Sequence, residues 1–310
     1  MKRGDSTQLT RVGLYHQTVL SNRVASNKLQ LLRSKKLGKL ACLVHAFSTR
    51  QGGTSLAYGG NALNLGFTPH DSRAAVERNR ELFLKELGVA NGRKTWPLVS
   101  LRQIHSDLIH CADQIPEQSL AGDGLVTDTP GLLIAVQTAD CLPIILADRK
   151  RRAVGVFHAG WRGTVKRIVE KGVGEMRKHF KSDPRDLVAA IGPGVRGCCY
   201  EVGEEVRTRF EGQFAYASNL FREVKESDPV REKYPLLFLT ARAPGHGELP
   251  VRVFLDLAEA NRRQLLDAGV PAKNIDLASP CTACHTDLLF SYRAEKGITG
   301  RMMAVAGIRP

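Results

Sequence analysis

Three short apolar runs, separated by turn residues, constrain the fold of this chain more than any other feature. They cover residues 132–136, 143–147 and 153–157, a length and composition typical of β-strands. Cys141 follows the first run, and His158, Trp161 and Arg162 follow the third. Because a strand fixes the backbone while the adjoining loop exposes its side chains, reactive groups collect at strand ends. We therefore expect the functional site between residues 122 and 163.

Other strands and helices intermix along the rest of the chain. Apolar segments predict strands at residues 43–48, 187–191 and 302–306. Helical periodicity and capping residues predict helices at residues 71–87, 164–180 and 256–268, the first capped by Asp71 or Ser72 and the second by Thr164. This order predicts an α/β (α+β) fold, a single layered domain of mixed β-sheets with helices packed on their outer faces.

The domain organisation follows from where these patterns begin and where they are interrupted. Residues 1–38 are polar and basic with weak periodicity, which indicates a basic N-terminal extension to a domain at residues 39–310. Residues 212–250 alternate Pro, Gly and charge. We expect this second stretch to be a variable insertion.

Composition narrows the classes of partner. The net charge is +14 and the pI is about 9.7, but Lys and Arg are spread along the whole chain, which favours a solvated basic surface over a nucleic-acid-binding face. Aromatic residues make up only 6%, too few for a stacking platform for single strands. Small acidic substrates such as phosphate fit the charge equally well, and we expect no nucleic-acid partner and a monomer or small homo-oligomer.

No apolar run approaches the roughly 20 residues that span a bilayer. The first 40 residues lack the apolar segment and small-residue cleavage site of a secretory signal. We therefore expect a cytoplasmic protein without membrane contact. The seven cysteines are then interpreted as thiols, metal ligands or small buried residues rather than as disulfides.

Two chemistries suit the central residues. Cys141 could be a nucleophile with His158 as its base, which would give a hydrolase that proceeds through a thioester. Alternatively, His105, Cys141 and His158 could bind zinc, since three protein ligands leave a fourth position for water or substrate. The separations of 36 and 17 residues match no local metal motif, so the spacing leaves both interpretations open.

Three further patterns are weaker. The turn at residues 49–54 could offer backbone N–H groups and the Arg50 guanidinium to an anion. Residues 192–197 match G-x-G-x-x-G, but Pro193 and the cysteines at 198 and 199 stand where a dinucleotide-binding helix should begin. Residues 281–285 match C-x-x-C-H, the spacing used to attach a c-type haem. Haem attachment requires export, and the sequence shows no export signal, which argues against haem. A zinc knuckle would need a second spaced pair of ligands, so we interpret these cysteines as structural.

Several motifs together resemble one known family. The runs at residues 138–143 (TADCLP) and 157–163 (FHAGWRG) are similar to the signature of the YfiH-like family, also called laccase-domain or polyphenol oxidase proteins. Further similar segments lie at residues 48–53, 103–105, 122–124, 191–202 and 281–293. The resemblance covers residues 40 to 308, and it identifies residues 39–310 as a YfiH-like catalytic domain.

The resemblance implies a zinc ion bound by His105, Cys141 and His158, with copper as a competing ion. It implies activity on purine nucleosides: phosphorolysis of adenosine, inosine and S-methyl-5′-thioadenosine, together with deamination of adenosine. The expected partners are therefore purine nucleosides and phosphate. Copper-dependent oxidation of phenols is an alternative, but nine histidines without any His-x-His pair argue against a multicopper mechanism. A peptidoglycan-editing hydrolase is a further alternative.

Roles for individual side chains follow from that chemistry. Phosphorolysis requires an anion held ready while positive charge grows on the ribose, and Arg50, with Arg162, could hold phosphate. Cys141 and His105 are expected to act through the metal. Asp140, beside the ligand cysteine, is a candidate proton carrier, with a purely structural role as the alternative.

Overall fold

Two β-sheets face each other and form the centre of the molecule. The computed structural model describes residues 28–91, 94–225, 233, 251–278 and 280–310. Most of the expected insertion at 212–250, and residues 1–27 of the expected extension, lie outside the described residues. Among the described residues, no helix is long and apolar enough to cross a membrane.

The described strands are, in chain order, β1 Leu31–Leu32, β2 Leu43–Ser48, β3 Gln51–Ser55, β4 Ala90–Asn91, β5 Lys94–Thr95, β6 Leu98–Ser100, β7 Ile109–Cys111, β8 Gly124–Thr127, β9 Leu133–Thr138, β10 Leu142–Asp148, β11 Val154–Ala159, β12 Leu187–Ile191, β13 Glu201–Val202, β14 Phe221–Lys225, β15 Val251–Leu255, β16 Ile275–Leu277 and β17 Met302–Ile308. One sheet has the order β1-β2-β17-β9-β6 and the other β16-β12-β10-β11-β8-β7. A third sheet, β13-β15-β14, and the hairpin β4-β5 are smaller.

The two large sheets bury apolar side chains between them. Successive residues of β10 point to opposite sides of the sheet. Ile145 and Ala147 face the other large sheet, while Ile144 and Leu146 face helices. Both faces of this strand are therefore buried, which explains its continuous apolar sequence. The three predicted strands of the central stretch are confirmed as β9, β10 and β11, each slightly longer than its apolar run.

Helices cover the outer face of each large sheet. The described helices are α1 Arg73–Leu87, α2 Trp161–Val165, α3 Ile168–Phe180, α4 Glu204–Glu211 and α5 Leu257–Asp267. Helix α1 packs Phe83 against the five-stranded sheet, while α3 and α5 pack against the six-stranded sheet. The expected α/β layered fold is confirmed as helix, sheet, sheet and helix. The N-cap prediction for α1 is confirmed too, with Ser72 as the cap, and Gly88 in the left-handed conformation ends the helix.

Two local predictions are wrong. The helix expected at residues 164–180 is divided at Arg167, whose φ of 63° breaks it, and Thr164 is not a cap but a buried residue of α2 that accepts a hydrogen bond from Asn261. The turn expected at 49–54 is instead the start of β3. Gly53 approaches Ala62 so closely that a Cβ would lie 2.2 Å from the Ala62 oxygen, which explains the glycine.

The described end of the expected N-terminal extension packs on the folded domain. Strand β1 pairs with β2, and Leu37, in a short 3-10 helix at Leu37–Lys39, is fully buried. Residues 31–38 are thus continuous with the first large sheet.

Candidate functional site

Three side chains that are distant in sequence meet at one end of the six-stranded sheet. The ligand atoms of His105, Cys141 and His158 all lie within 4.8 Å of one another. The Cys141 Sγ atom is 3.9 Å from His105 Nε2, and the two imidazole rings lie edge to face with centroids 4.9 Å apart. Ligands at the usual bond lengths in a tetrahedral zinc site are separated by roughly 3.6 Å. The structure therefore brings together the three residues that the sequence analysis named.

The β10–β11 hairpin explains why two of these residues meet. Leu142 pairs with Ala159, so Cys141 precedes β10 directly beside Gly160, which follows β11. A Cβ on Gly160 would lie 3.0 Å from the Cys141 sulfur and 3.1 Å from His105 Cδ2. Glycine at this position keeps the space beside the Cys141 and His105 side chains clear.

The carboxylate of Asp123 holds both histidines, His105 and His158, in place. Its buried carboxylate accepts a 2.8 Å hydrogen bond from His158 Nδ1. It also accepts hydrogen bonds from the amides of Ile104, His105 and Ser106, at 3.2, 3.1 and 2.6 Å, and from the Ser106 hydroxyl. These contacts stabilise His105 in the left-handed region, at φ 55°, which is unfavourable for a residue with a Cβ. One carboxylate thus orients both histidines.

The same carboxylate fixes the tautomer of His158. A carboxylate can only accept, so Nδ1 carries a proton whether or not the ring is charged, and Nε2 is the nitrogen left for a metal. Carboxylate–histidine pairs of this kind orient metal ligands in proteins.

Charges at the site favour an ionised cysteine. Burial alone would raise the pKa of Cys141, but the charge of His158 and a hydrogen bond from His105 lower it to about 6. Burial opposes the charged form of His158 as well, yet Cys141 and Asp123 raise its pKa to about 9. Asp123 is held at a pKa of about 2, against the effect of burial, by His158 and Ser106. Without a metal, Cys141 is a thiolate and His158 is an imidazolium. A thiolate is both a nucleophile and the form of cysteine that binds a metal.

A cavity of about 610 Å³ opens onto these residues, a volume typical of small-molecule sites. Besides the three residues above, its walls are formed by Leu101, Gln103, Gln137, Thr138, Ala139, Asp140, Tyr200, Tyr292, Arg293 and Arg301. The Arg293 guanidinium lies 5.1 Å from the Tyr200 ring, and that of Arg301 lies 5.6 Å from the Tyr292 ring. The cavity therefore combines two cations, two aromatic rings and a cluster of metal-ligand type.

Asp140 lines the cavity, but its carboxylate is engaged elsewhere. One oxygen accepts hydrogen bonds from the hydroxyls of Thr282 and Ser291, at 2.6 and 2.7 Å, and the other accepts from the Arg293 amide at 2.7 Å. Its φ of 95° is a further sign that the surroundings determine its conformation. The geometry favours the structural alternative for Asp140, as the anchor of residues 282–293, over proton transfer.

The position of Arg50 does not support the expected phosphate role. Its guanidinium donates to the backbone oxygens of Thr286 and Tyr58, at 2.5 and 2.7 Å, and pairs with Glu295 at 3.0 Å. It also stacks over the Phe290 ring, and it does not line the cavity. These contacts give Arg50 a structural role as a tie between the β2–β3 connection and the C-terminal segment.

Arg162 is exposed and stacks on Trp161, with the guanidinium carbon 4.3 Å from the ring centroid. It lies outside the walls of the cavity. The cations of the cavity are instead Arg293 and Arg301, which the sequence reasoning did not single out. Asp123 lies in the segment at 122–124 that resembles the family, but the sequence analysis gave it no role, although a lone acidic residue between two glycines, just before an apolar strand, is a signal that could have found it.

Comparisons with known proteins show the family and the fold of the chain. A family model described as multi-copper polyphenol oxidoreductase laccase matches residues 44–309. A Deinococcus radiodurans protein named purine nucleoside phosphorylase is 37% identical over 286 residues, 90% of this chain and 93% of that protein. A protein named adenosine deaminase RL5, from an unknown prokaryotic organism, is 34% identical over 81% of this chain and 88% of its own length. The crystal structure of the Bacillus licheniformis hypothetical protein YfiH matches with a TM-score of 0.74 and 29% identity, over 93% of this chain and 98% of that one.

Proposed function

The chain belongs to the multi-copper polyphenol oxidoreductase laccase family, the YfiH-like proteins, and we propose that it is a zinc-dependent purine nucleoside phosphorylase with adenosine deaminase activity. Its substrates are adenosine, inosine and S-methyl-5′-thioadenosine, with phosphate as the second substrate. The observation that carries this proposal is the convergence of His105, Cys141 and His158 at the wall of a cavity that also holds two arginines. Names of relatives that act on purine nucleosides support it.

The donor set fits zinc. One thiolate and two imidazoles match its preference for sulfur and nitrogen, and three protein ligands are typical of catalytic rather than structural zinc. Asp123 leaves the Nε2 lone pair of His158 for a metal, and Gly160 leaves space beside the sulfur. A zinc ion held here would supply a Lewis acid for an oxygen of water or substrate.

The chain's own residues would hold the phosphate and the nucleoside. Phosphorolysis forms a bond between a phosphate oxygen and the anomeric carbon while the bond to the purine nitrogen breaks, so the phosphate must be fixed beside the ribose. Arg293 and Arg301 can bind it, because a guanidinium matches two phosphate oxygens at once. Within the described residues neither guanidinium belongs to an ion pair, although Arg301 donates to the oxygens of Thr299 and Gly300. Tyr292, 54% exposed, offers a ring face on which a purine can stack.

The description of the family as multicopper enzymes does not fit the cavity. In the described part of the chain, groups of metal-ligand type occur at two places, this His-Cys-His group and a group of four cysteines. Neither has the paired histidines that several coupled copper ions need. Copper can still compete with zinc for the same three side chains, since it ranks above zinc in intrinsic affinity.

The test is a nucleoside panel with zinc-loaded protein, with and without phosphate. We expect free purine base and ribose 1-phosphate only when phosphate is present, and ammonia from adenosine. His105→Ala and Cys141→Ala should lose both activities, while the matched controls His179→Ala and Cys111→Ser, at sites outside the cavity, should retain them. Base release without phosphate, or a trapped thioester, would contradict the phosphorylase. Oxidation of phenols by copper-loaded protein, without base release, would favour the oxidase.

The phosphate site is tested separately. Arg293→Gln should raise the KM for phosphate by roughly 10- to 100-fold, the loss expected for a charge-assisted hydrogen bond. Arg162→Gln serves as the control, because Arg162 lies outside the cavity. If Arg162→Gln raised the KM for phosphate more than Arg293→Gln, the result would contradict the assignment to Arg293 and would support a role for Arg162, one of the two arginines that the sequence analysis expected to hold phosphate.

A further inference from the structure

We propose that Cys198, Cys199, Cys281 and Cys284 form a second, purely structural metal centre that binds zinc through four thiolates. The four sulfur atoms lie within 4.8 Å of one another. Cys284 Sγ is 3.6 Å from Cys198 Sγ and 3.3 Å from Cys199 Sγ. Sulfur ligands of a tetrahedral zinc site are separated by about 3.8 Å. The observed separations are far longer than a disulfide bond of about 2.05 Å.

The fold supplies the second ligand pair that the sequence does not reveal. Residues 281–284 form a C-x-x-C turn, and the adjacent cysteines at 198 and 199 come from a loop 85 residues earlier. A parallel bridge between Gly194 and Cys281 joins the two segments, and the Thr282 amide donates to the Gly194 oxygen. Spacing along the chain therefore gave no indication of a four-cysteine site, because the second pair is adjacent rather than spaced.

The ligand set points to a single soft cation. Four thiolates and no open position are typical of structural zinc. His285 is not one of the ligands, since its Nδ1 lies 3.0 Å from the Cys281 oxygen. Four thiolates and one divalent ion carry a net charge of −2, and Arg196 lies close to Cys281 and Cys198 to offset it. The Arg196 Nε is buried without a hydrogen-bond partner among the described residues.

This centre would act as a clasp between two segments that line the cavity. Tyr200, directly after Cys199, lines the cavity, and so do Tyr292 and Arg293, which follow Cys284 in the chain; the Arg293 guanidinium lies 5.1 Å from the Tyr200 ring. The residue after Cys281 is Thr282, whose hydroxyl donates to Asp140 beside the ligand Cys141. The clasp therefore positions both the aromatic and the cationic side chains without contributing an atom to the His-Cys-His group.

The first test counts zinc in the full-length protein, purified without chelator, by elemental analysis and native mass spectrometry. We expect two ions per chain in the wild type and in the control Cys111→Ser. One ion should remain in Cys284→Ser and one in His105→Ala. A Cys284→Ser protein that retains both ions, or a wild type with one ion that His105→Ala removes, would overturn the proposal. Zinc lost in Cys284→Ser but kept in His105→Ala would support the clasp while contradicting the zinc site of the proposed function.

The second test needs no variant and so does not depend on the folding of one. Zinc-loaded and chelator-treated wild-type protein are alkylated with iodoacetamide under native conditions at alkaline pH, because the pKa of Cys111 is raised by burial, and the modified cysteines are identified by peptide mass. Cys198 and Cys284, both exposed, should be protected with zinc and modified after its removal, while the exposed Cys111 should react in both. Equal modification with and without zinc would overturn the proposal. So would a disulfide between Cys199 and Cys284 in zinc-loaded, reduced protein.

Discussion

Replacing Asp123 by asparagine tests the support of the His-Cys-His group. The substitution keeps the shape but leaves one acceptor oxygen, and it turns an NH₂ group toward amides that also donate. Against the effect of burial, His158 and Ser106 hold the pKa of Asp123 at about 2. At about 1.4 kcal/mol per unit this corresponds to about 2 kcal/mol in favour of the carboxylate. Removing one partner of a buried charged network costs roughly 3–5 kcal/mol, so we expect Asp123→Asn to lower the free energy of unfolding by about 3 kcal/mol.

Zinc affinity should fall as well, by roughly 10- to 100-fold, the usual effect of losing the group that orients a metal ligand. Affinity is measured by competition with a chromophoric chelator, with Cys284→Ser present in every protein so that one class of site is observed. Stability is measured by urea unfolding of metal-free protein.

Asp107→Asn is the control, since Asp107 lies on the loop that carries His105 but forms surface ion pairs with Lys166 and Lys171. Such pairs contribute about 0–1 kcal/mol. Zinc affinity of Asp123→Asn within twofold of the wild type, or an equal loss in Asp107→Asn, would refute the reasoning.

Three further predictions follow from the same contacts. Gly160→Ala should weaken zinc binding, measured in the same chelator competition, because a Cβ would meet Cys141 Sγ at 3.0 Å; Gly174→Ala, in an open position of α3, should leave affinity unchanged and raise stability by up to about 1 kcal/mol. Arg50→Gln should lower the Tm and leave the KM for phosphate unchanged, since its guanidinium is bonded within the fold; a raised KM with unchanged Tm would contradict this. In metal-free protein, alkylation of Cys141 should rise with pH around a midpoint near 6, because its pKa is lowered to about 6 and the thiolate reacts. Cys111, whose pKa is raised by burial and then by the nearby acidic groups, should react only at higher pH; coincident profiles would contradict the assignment.

The sequence predicted six strands of the two large sheets, because buried strands leave a strong local pattern. Strands β2 and β12 have the predicted bounds, and β10 and β11 are found where the apolar runs lie. The break at Arg167 was not predicted, because the apolar stripe of the helix continues across it and only the tertiary packing of Thr164 against α5 distinguishes two helices from one.

The meeting of Cys141 and His158 could be predicted from the sequence, whereas the residues that hold them in place could not. Cys141 immediately precedes β10 and His158 lies near the end of β11, and these two strands pair with each other, so local reasoning could place the two residues together. Asp123 acts through hydrogen bonds from a loop that precedes it in the chain by almost 20 residues, and no spacing rule encodes such contacts. Arg50 was favoured because a glycine-rich turn with a cation resembles an anion site, whereas in the structure Glu295 and two backbone oxygens already accept hydrogen bonds from its guanidinium. The cysteines at 198 and 284 show the same limit, since only the fold makes them neighbours.

The central claim is that His105, Cys141 and His158 share one zinc ion. The most direct measurement is anomalous X-ray diffraction at the zinc edge from crystals of protein purified without chelator. We expect a peak about 2.3 Å from the Cys141 sulfur and about 2.0–2.1 Å from one nitrogen of each imidazole. Crystals that contain zinc elsewhere, but show no anomalous peak between these three side chains, would contradict the account.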